Sequence, residues 1–111
     1  MLNQVVLVGR IVYDLELKKS ENLKKYLVLT LAIPRSFKNM EGNYDTDFIR
    51  CVAWDNIAEN TSLYCHKGDI VGVKGRLQSR NLDKNDKKET VMEVIAEKIT
   101  FLTSKSTEEK S

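Results

Sequence analysis

Apolar residues alternate with a period of two in five short runs of this chain, and a single helix-like segment interrupts them. Val5, Leu7, Gly9 and Ile11 make one face of the first run, with Val6, Val8 and Arg10 on the other. It is apolar on both faces until Arg10, as suits a strand covered on both sides. The second run, Tyr26 to Ile33, sends Leu27, Leu29, Leu31 and Ile33 inward and leaves Tyr26, Val28, Thr30 and Ala32 on the other face. Pro34, the only proline, is expected to end that ladder because it has no N–H to donate. Glu41-Gly42-Asn43 signals a turn that folds the second run onto a third, 46–54, as a hairpin. Asp55 reads as the N-cap of a helix reaching about His66, with Ile57, Thr61, Tyr64 and Cys65 as its buried stripe. Lys67-Gly68 supplies a terminal charge and a left-handed stop. The fourth run, Ile70 to Leu77, carries Val71, Val73 and Leu77, while Gly72 and Gly75 permit bending or close backbone approach. A charged loop is expected over Gln78 to Glu89, as is a charged stretch over Asp14 to Lys25. The fifth run, about 90–102, slips between Ala96 and Ile99, which marks a bulge.

Three strands, a helix and two strands, with glycines where a small sheet must curl, is the order of the oligonucleotide/oligosaccharide-binding (OB) fold. The expected architecture is thus all-β, a five-stranded Greek-key barrel with one short helix between strands three and four. Its 111 residues suit one domain, placed at 1–103, with a polar, disordered tail over 104–111. Met1-Leu2-Asn3 runs straight into the first strand, so no signal peptide is expected. No run nears the roughly 20 apolar residues that cross a bilayer. Cys51 and Cys65 lack metal or redox spacing and read as buried thiols in a reducing cytoplasm.

Function is most legible in Thr46-Asp47-Phe48-Ile49-Arg50-Cys51-Val52-Ala53-Trp54. One face of this strand is small and apolar; the other carries Phe48, Arg50, Val52 and Trp54. Aromatic rings on a sheet beside fixed positive charge form a surface on which unpaired bases stack. The alternative is that Phe48 and Trp54 pack beneath a loop or in a subunit contact. Net charge is only +2, but its distribution is uneven. Lys18, Lys19, Lys24, Lys25, Arg35 and Lys38 form one basic block; Lys74, Arg76, Arg80, Lys84, Lys87 and Lys88 form another. The acidic stretch 41–69 separates them, as if two positive arms flanked a platform. Solvated, solubilising loops are the plainer reading of the same charges. His66 is the only histidine, the carboxylates are scattered, and no glycine loop has phosphate-gripping spacing, so a binder with no cofactor, metal or catalytic residue is expected.

These residues resemble those of the bacterial single-stranded DNA-binding protein family. The similarity lies in Asn3-Gln4-Val5-Val6-Leu7-Val8-Gly9-Arg10, Asp14-Leu15-Glu16-Leu17-Lys18, Thr46-Asp47-Phe48-Ile49, Val52-Ala53-Trp54, Ala58-Glu59, Tyr64, Lys67-Gly68, Gly75-Arg76-Leu77-Gln78 and Phe101-Leu102. It implies sequence-independent binding of single-stranded DNA, in replication, recombination, repair or DNA uptake, by a homotetramer. It also implies stacking by Phe37, Phe48 and Trp54 and basic contacts from Arg50, Lys67, Arg80 and Lys18. Arg10, Arg35, Lys38, Lys74, Arg76 and Lys87 complete the candidate basic set. Three departures stand out. Leu82 replaces an aromatic of the last inter-strand loop, and Ser20-Glu21-Asn22 replaces a Pro-x-Gly turn. The chain also ends without the acidic tail that recruits other enzymes, so tail-mediated recruitment is not expected. The pattern is that of a shortened paralogue. A primosome-type module acting through protein partners is the rival reading, and RNA is an alternative ligand.

Overall fold

The computed structural model describes residues 1–103; the expected disordered tail, 104–111, lies outside the described residues. The strands are β1 (Val5–Ile11), β2 (Lys18–Lys19), β3 (Lys25–Lys38), β4 (Tyr44–Trp54), β5 (Ile70–Lys84) and β6 (Lys87–Thr103), with helix α1 (Asp55–Tyr64) between β4 and β5. They hydrogen-bond in the order β1-β5-β6-β4-β3-β2, and β1 also pairs with β3, which closes five strands into a barrel. Among the described residues, only β4 and β6 run parallel. The expected OB architecture is what folds.

The barrel closes around side chains that period-two alternation sends inward. Leu27, Leu29 and Leu31 of β3, Cys51 and Ala53 of β4, Val71 and Val73 of β5, and Val94 and Ala96 of β6 are all buried. Ala58 of α1 plugs the same core. Both cysteines are free, and burial pushes the Cys51 thiol up to about 12 and the Cys65 thiol to about 11, Asp69 adding to the latter. A thiolate is the reactive form, so at pH 8 a thiol reagent should leave both untouched in the folded protein and titrate both after denaturation. Fast labelling of the native protein would show the core to be looser than described.

Glu97 sits at the expected bulge. Gly75 pairs with Ala96 but Lys74 with Lys98, so one residue of β6 is left over where the barrel wall bends. Asn39 shapes the β3–β4 turn: its Oδ1 accepts from the backbone N–H of Glu41 and Asn43 at 2.9 and 3.0 Å, and Gly42 takes φ +85°.

Several local expectations are corrected. Pro34 does not end β3; it lies opposite Thr46, and the strand continues irregularly to Lys38. Residues 78–89 are not a loop but a hairpin arm, in which Ser79 to Lys84 pair back onto Lys87 to Met92. Its tip, Asn85-Asp86, has φ +51° and +63°, the left-handed pair that a tight hairpin turn needs and that Asn and Asp tolerate. Two residues of the first polar stretch, Lys18 and Lys19, form β2 against Tyr26 and Lys25. Asp55 is not the helix cap: it opens α1 at φ +54°, the cap position falls on Trp54, and no side chain caps it. The helix stops at Tyr64, and its buried residues are Ala58 and Thr61, while Tyr64 is exposed against Phe101 at 6.0 Å. Gly68, at φ +96°, belongs to the following turn, where its N–H donates to Ile11 O at 2.8 Å. The outer face of β1 is open in the single chain, with Val6 and Val8 exposed.

Candidate nucleic-acid interface

Strand register builds the site. Tyr26 lies opposite Trp54, Val28 opposite Val52, Thr30 opposite Arg50 and Ala32 opposite Phe48, so these eight share one face of the β3–β4 ladder. Lys18 stands opposite Tyr26, which makes a row of Lys18, Tyr26 and Trp54 across three strands. Arg10 stands opposite Ala32, giving a second row that ends on Phe48. Three aromatics thus lie on one face, and the two on β4, Trp54 and Phe48, each have a cation two strands away.

The rings are accessible. Phe48 is 63% exposed and Trp54 36%, neither sealed in the core. Trp54 leans on Tyr26, centroids 5.3 Å apart and planes tilted by 37°, which fixes the indole without covering its outer surface. Phe37 is 65% exposed in the irregular stretch of β3. Lys38 places Nζ 5.8 Å from the Tyr44 ring centroid, on the same hairpin.

A groove of about 440 Å³ runs along the Trp54 end, between Lys19, Ser20 and Glu21 on one wall and Gln78 and Arg80 of the arm on the other. Val52, Ile95 and Glu93 line it as well. Arg50 of β4 and Arg80 of β5 both point at Glu93, at 3.4 and 3.6 Å. Arg76 is half-buried and donates to Gln78 Oε1 at 2.7 Å. Lys87 is exposed next to the tip of the arm.

Other candidates sit apart from this face. Arg35 is turned to Asp47, donating from Nε at 3.2 and 3.3 Å and from Nη2 at 3.0 Å, with Asp45 at 3.7 Å. Asp47 alternates with Phe48, so that pair lies on the opposite side of β4 from the rings. The Arg35 hydrogen bond holds the Asp47 carboxyl below its usual range and raises the guanidinium above its own. Lys67 is exposed in the turn beside Gly68, whose carbonyl accepts from Arg10 Nη1 at 2.7 Å. Lys74 is exposed between Val6 and Lys98, on the outer β1–β5 wall.

Tyr26, Gln78 and Glu93 line the candidate groove and Tyr44 lies against Lys38 on the hairpin, none of them among the candidate residues of the sequence reading. Tyr26 could have been: it is outward on β3, and a turn centred on Gly42 brings β3 back along β4. Glu93 could not, because in Val-Met-Glu-Val a carboxylate reads as a solvent-face residue.

Comparison with known proteins agrees with this geometry. The model of the single-strand binding protein family matches residues 2–102. Single-stranded DNA-binding protein 3 of Listeria innocua is 45% identical over 106 residues, which are 95% of this chain and 66% of the relative. Single-stranded DNA-binding protein B of Bacillus subtilis is 41% identical over 109 residues, 97% of this chain and 96% of the relative. The chain thus spans just under two thirds of the first of these relatives and nearly all of the second. A solved structure described as a Plasmodium falciparum SSB complex with ssDNA superposes with a TM-score of 0.81 at 27% identity, covering 93% of this chain and 96% of that one.

Proposed function

This chain belongs to the single-strand binding protein family, and on that premise we propose that it coats single-stranded DNA, without catalysis and with little regard for sequence. The observation that carries the reading is the pair of cross-strand rows, which display Trp54 on Tyr26 and Phe48 beside Ala32 with Lys18 and Arg10 at their far ends. Bases lie on the rings; phosphates meet Arg50, Arg80 and the lysines of β2 and the arm. Phe37 and Lys38 extend the track along the β3–β4 hairpin, and Arg76 and Lys87 extend it along the arm. Lys67 adds positive charge beside Gly68, on which Arg10 is anchored, Lys74 adds it to the outer wall of β5, and Arg35 acts by bracing the hairpin through Asp47.

The protein works as a homo-oligomer, a tetramer, in the cytoplasm, protecting strands opened by replication, recombination, repair or uptake. Exposed Val6 and Val8 on β1 support self-association, since two such side chains together gain from leaving water. Residues 1–103 act as one OB unit. Among the described residues no helix is long and apolar enough to cross a membrane.

Anisotropy of labelled oligo-dT should show tight binding that a duplex of equal length does not match. Affinity should fall with salt, at a log–log slope of about −0.7 for each phosphate contact. Equal affinity for duplex, or binding indifferent to salt, would remove the reading.

A further inference from the structure

A buried carboxylate is unexpected in a groove that receives a polyanion. Glu93 is 6% exposed and its Oε2 has no hydrogen-bond partner. It stands between two arginines from different strands, Arg50 Nε at 3.4 Å from Oε2 and Arg80 Nε at 3.6 Å from Oε1. Both guanidinium side chains remain about half exposed, at 49% and 44%, free to swing outward. Desolvating a carboxylate for two such loose contacts contributes little to stability. Nor does an arginine of β5 need a carboxylate to be held in place, since Arg76, outside the groove, donates to the neutral Gln78.

We infer that Glu93 is an internal counter-anion which a DNA phosphate must displace from Arg50 and Arg80, so that it limits affinity and speeds release. This rests on the reading that single-stranded DNA occupies the groove. In the free protein two guanidiniums and one carboxylate present a net charge of +1 to incoming DNA where two free arginines would present +2. In the complex the arginines turn to phosphate, and Glu93 keeps its negative charge beneath them. Both effects oppose binding; the first, competition for the two arginines, is the larger, because those side chains carry the phosphate contact while the residual repulsion of Glu93 acts only at a distance.

The test compares the wild type, E93Q, R50M/R80M and the triple variant, using labelled oligo-dT at a salt concentration where wild-type binding is measurable. Glu93→Gln keeps the shape and an acceptor but removes the charge. It should bind about three- to tenfold more tightly, with most of the gain in slower release into excess unlabelled strand. In the R50M/R80M background the same change should gain less than about twofold, because the groups it acts through are gone. Glu93→Asp withdraws the charge by one methylene and should fall between wild type and E93Q, which keeps the idea testable if the glutamine variant folds poorly. Thermal unfolding confirms that each variant is native. Wild-type binding with E93Q equal or weaker overturns the inference, as does an undiminished gain without the arginines. Failure of the wild type itself to bind overturns the reading of the groove as well.

Discussion

Replacing Trp54 by alanine should weaken binding of oligo-dT by about 1–3 kcal/mol, roughly five- to 150-fold, and Phe48→Ala by a similar amount. The indole stands on Tyr26 with its outer surface free, and the Phe48 ring is more exposed still. A base laid on either exchanges contact with water for contact with a flat apolar ring, and loses that gain when the ring is cut away. Neither substitution opens a cavity in the barrel, whose core is supplied by the opposite faces of β3 and β4. Unfolding should therefore remain a single cooperative transition, its midpoint lowered by only a few degrees. Affinities in wild type and both variants, each with its melting curve, separate lost stacking from lost structure. Unaltered affinity in both would mean that DNA lies elsewhere.

The largest effect on stability should come from Gly75→Ala. A Cβ there would overlap the carbonyl oxygen of Ile95, and would stand 2.9 Å from the Ile95 carbonyl carbon and 3.2 Å from Ala96 Cα. These are backbone atoms of the paired strand at the bulge, so no rotamer change relieves the contact. The ladder must part where β6 accommodates Glu97. Overpacking typically costs about 1–3 kcal/mol, and a clash with backbone that cannot rotate away belongs at about 3 or above, a large share of the roughly 5–15 kcal/mol typical of a domain. The melting temperature should fall by at least about 10 °C. Gly72→Ala makes a fair control, because its nearest neighbour lies 3.8 Å away. Equal melting temperatures for the two variants would show that the bulge is more pliant than its geometry implies.

What could be read from sequence follows from what touches the core. Leu27, Leu29 and Leu31, or Val71 and Val73, reveal their strands because one face must be apolar to leave water. The same holds for the Phe48–Trp54 face: large rings on the wrong side of a core strand have no packing role to explain them. The arm is different. Beyond Leu77 neither face meets the barrel interior, so Ser79, Asn81 and Asp83 alternate with nothing buried and the segment resembles a loop. Its turn, Asn-Asp in place of Asn-Gly, gives a weaker hairpin signal. Two-residue β2 is too short for any periodicity. Arg35 with Asp47, and Glu93 between Arg50 and Arg80, depend on pairings between strands far apart in the chain; neither charge counts nor the family resemblance that marks Arg50 and Arg80 reveals their partners.

The proposed complex rests bases directly on the indole of β4, and Trp54 is the chain's only tryptophan. Its emission can therefore be followed while oligo-dT of graded length is added, with anisotropy of the same strands read in parallel. Stacking predicts deep quenching that saturates together with the anisotropy signal and is lost in step with it as salt is raised. A complex that forms by anisotropy while the tryptophan emission stays unchanged would mean that bases do not lie on Trp54.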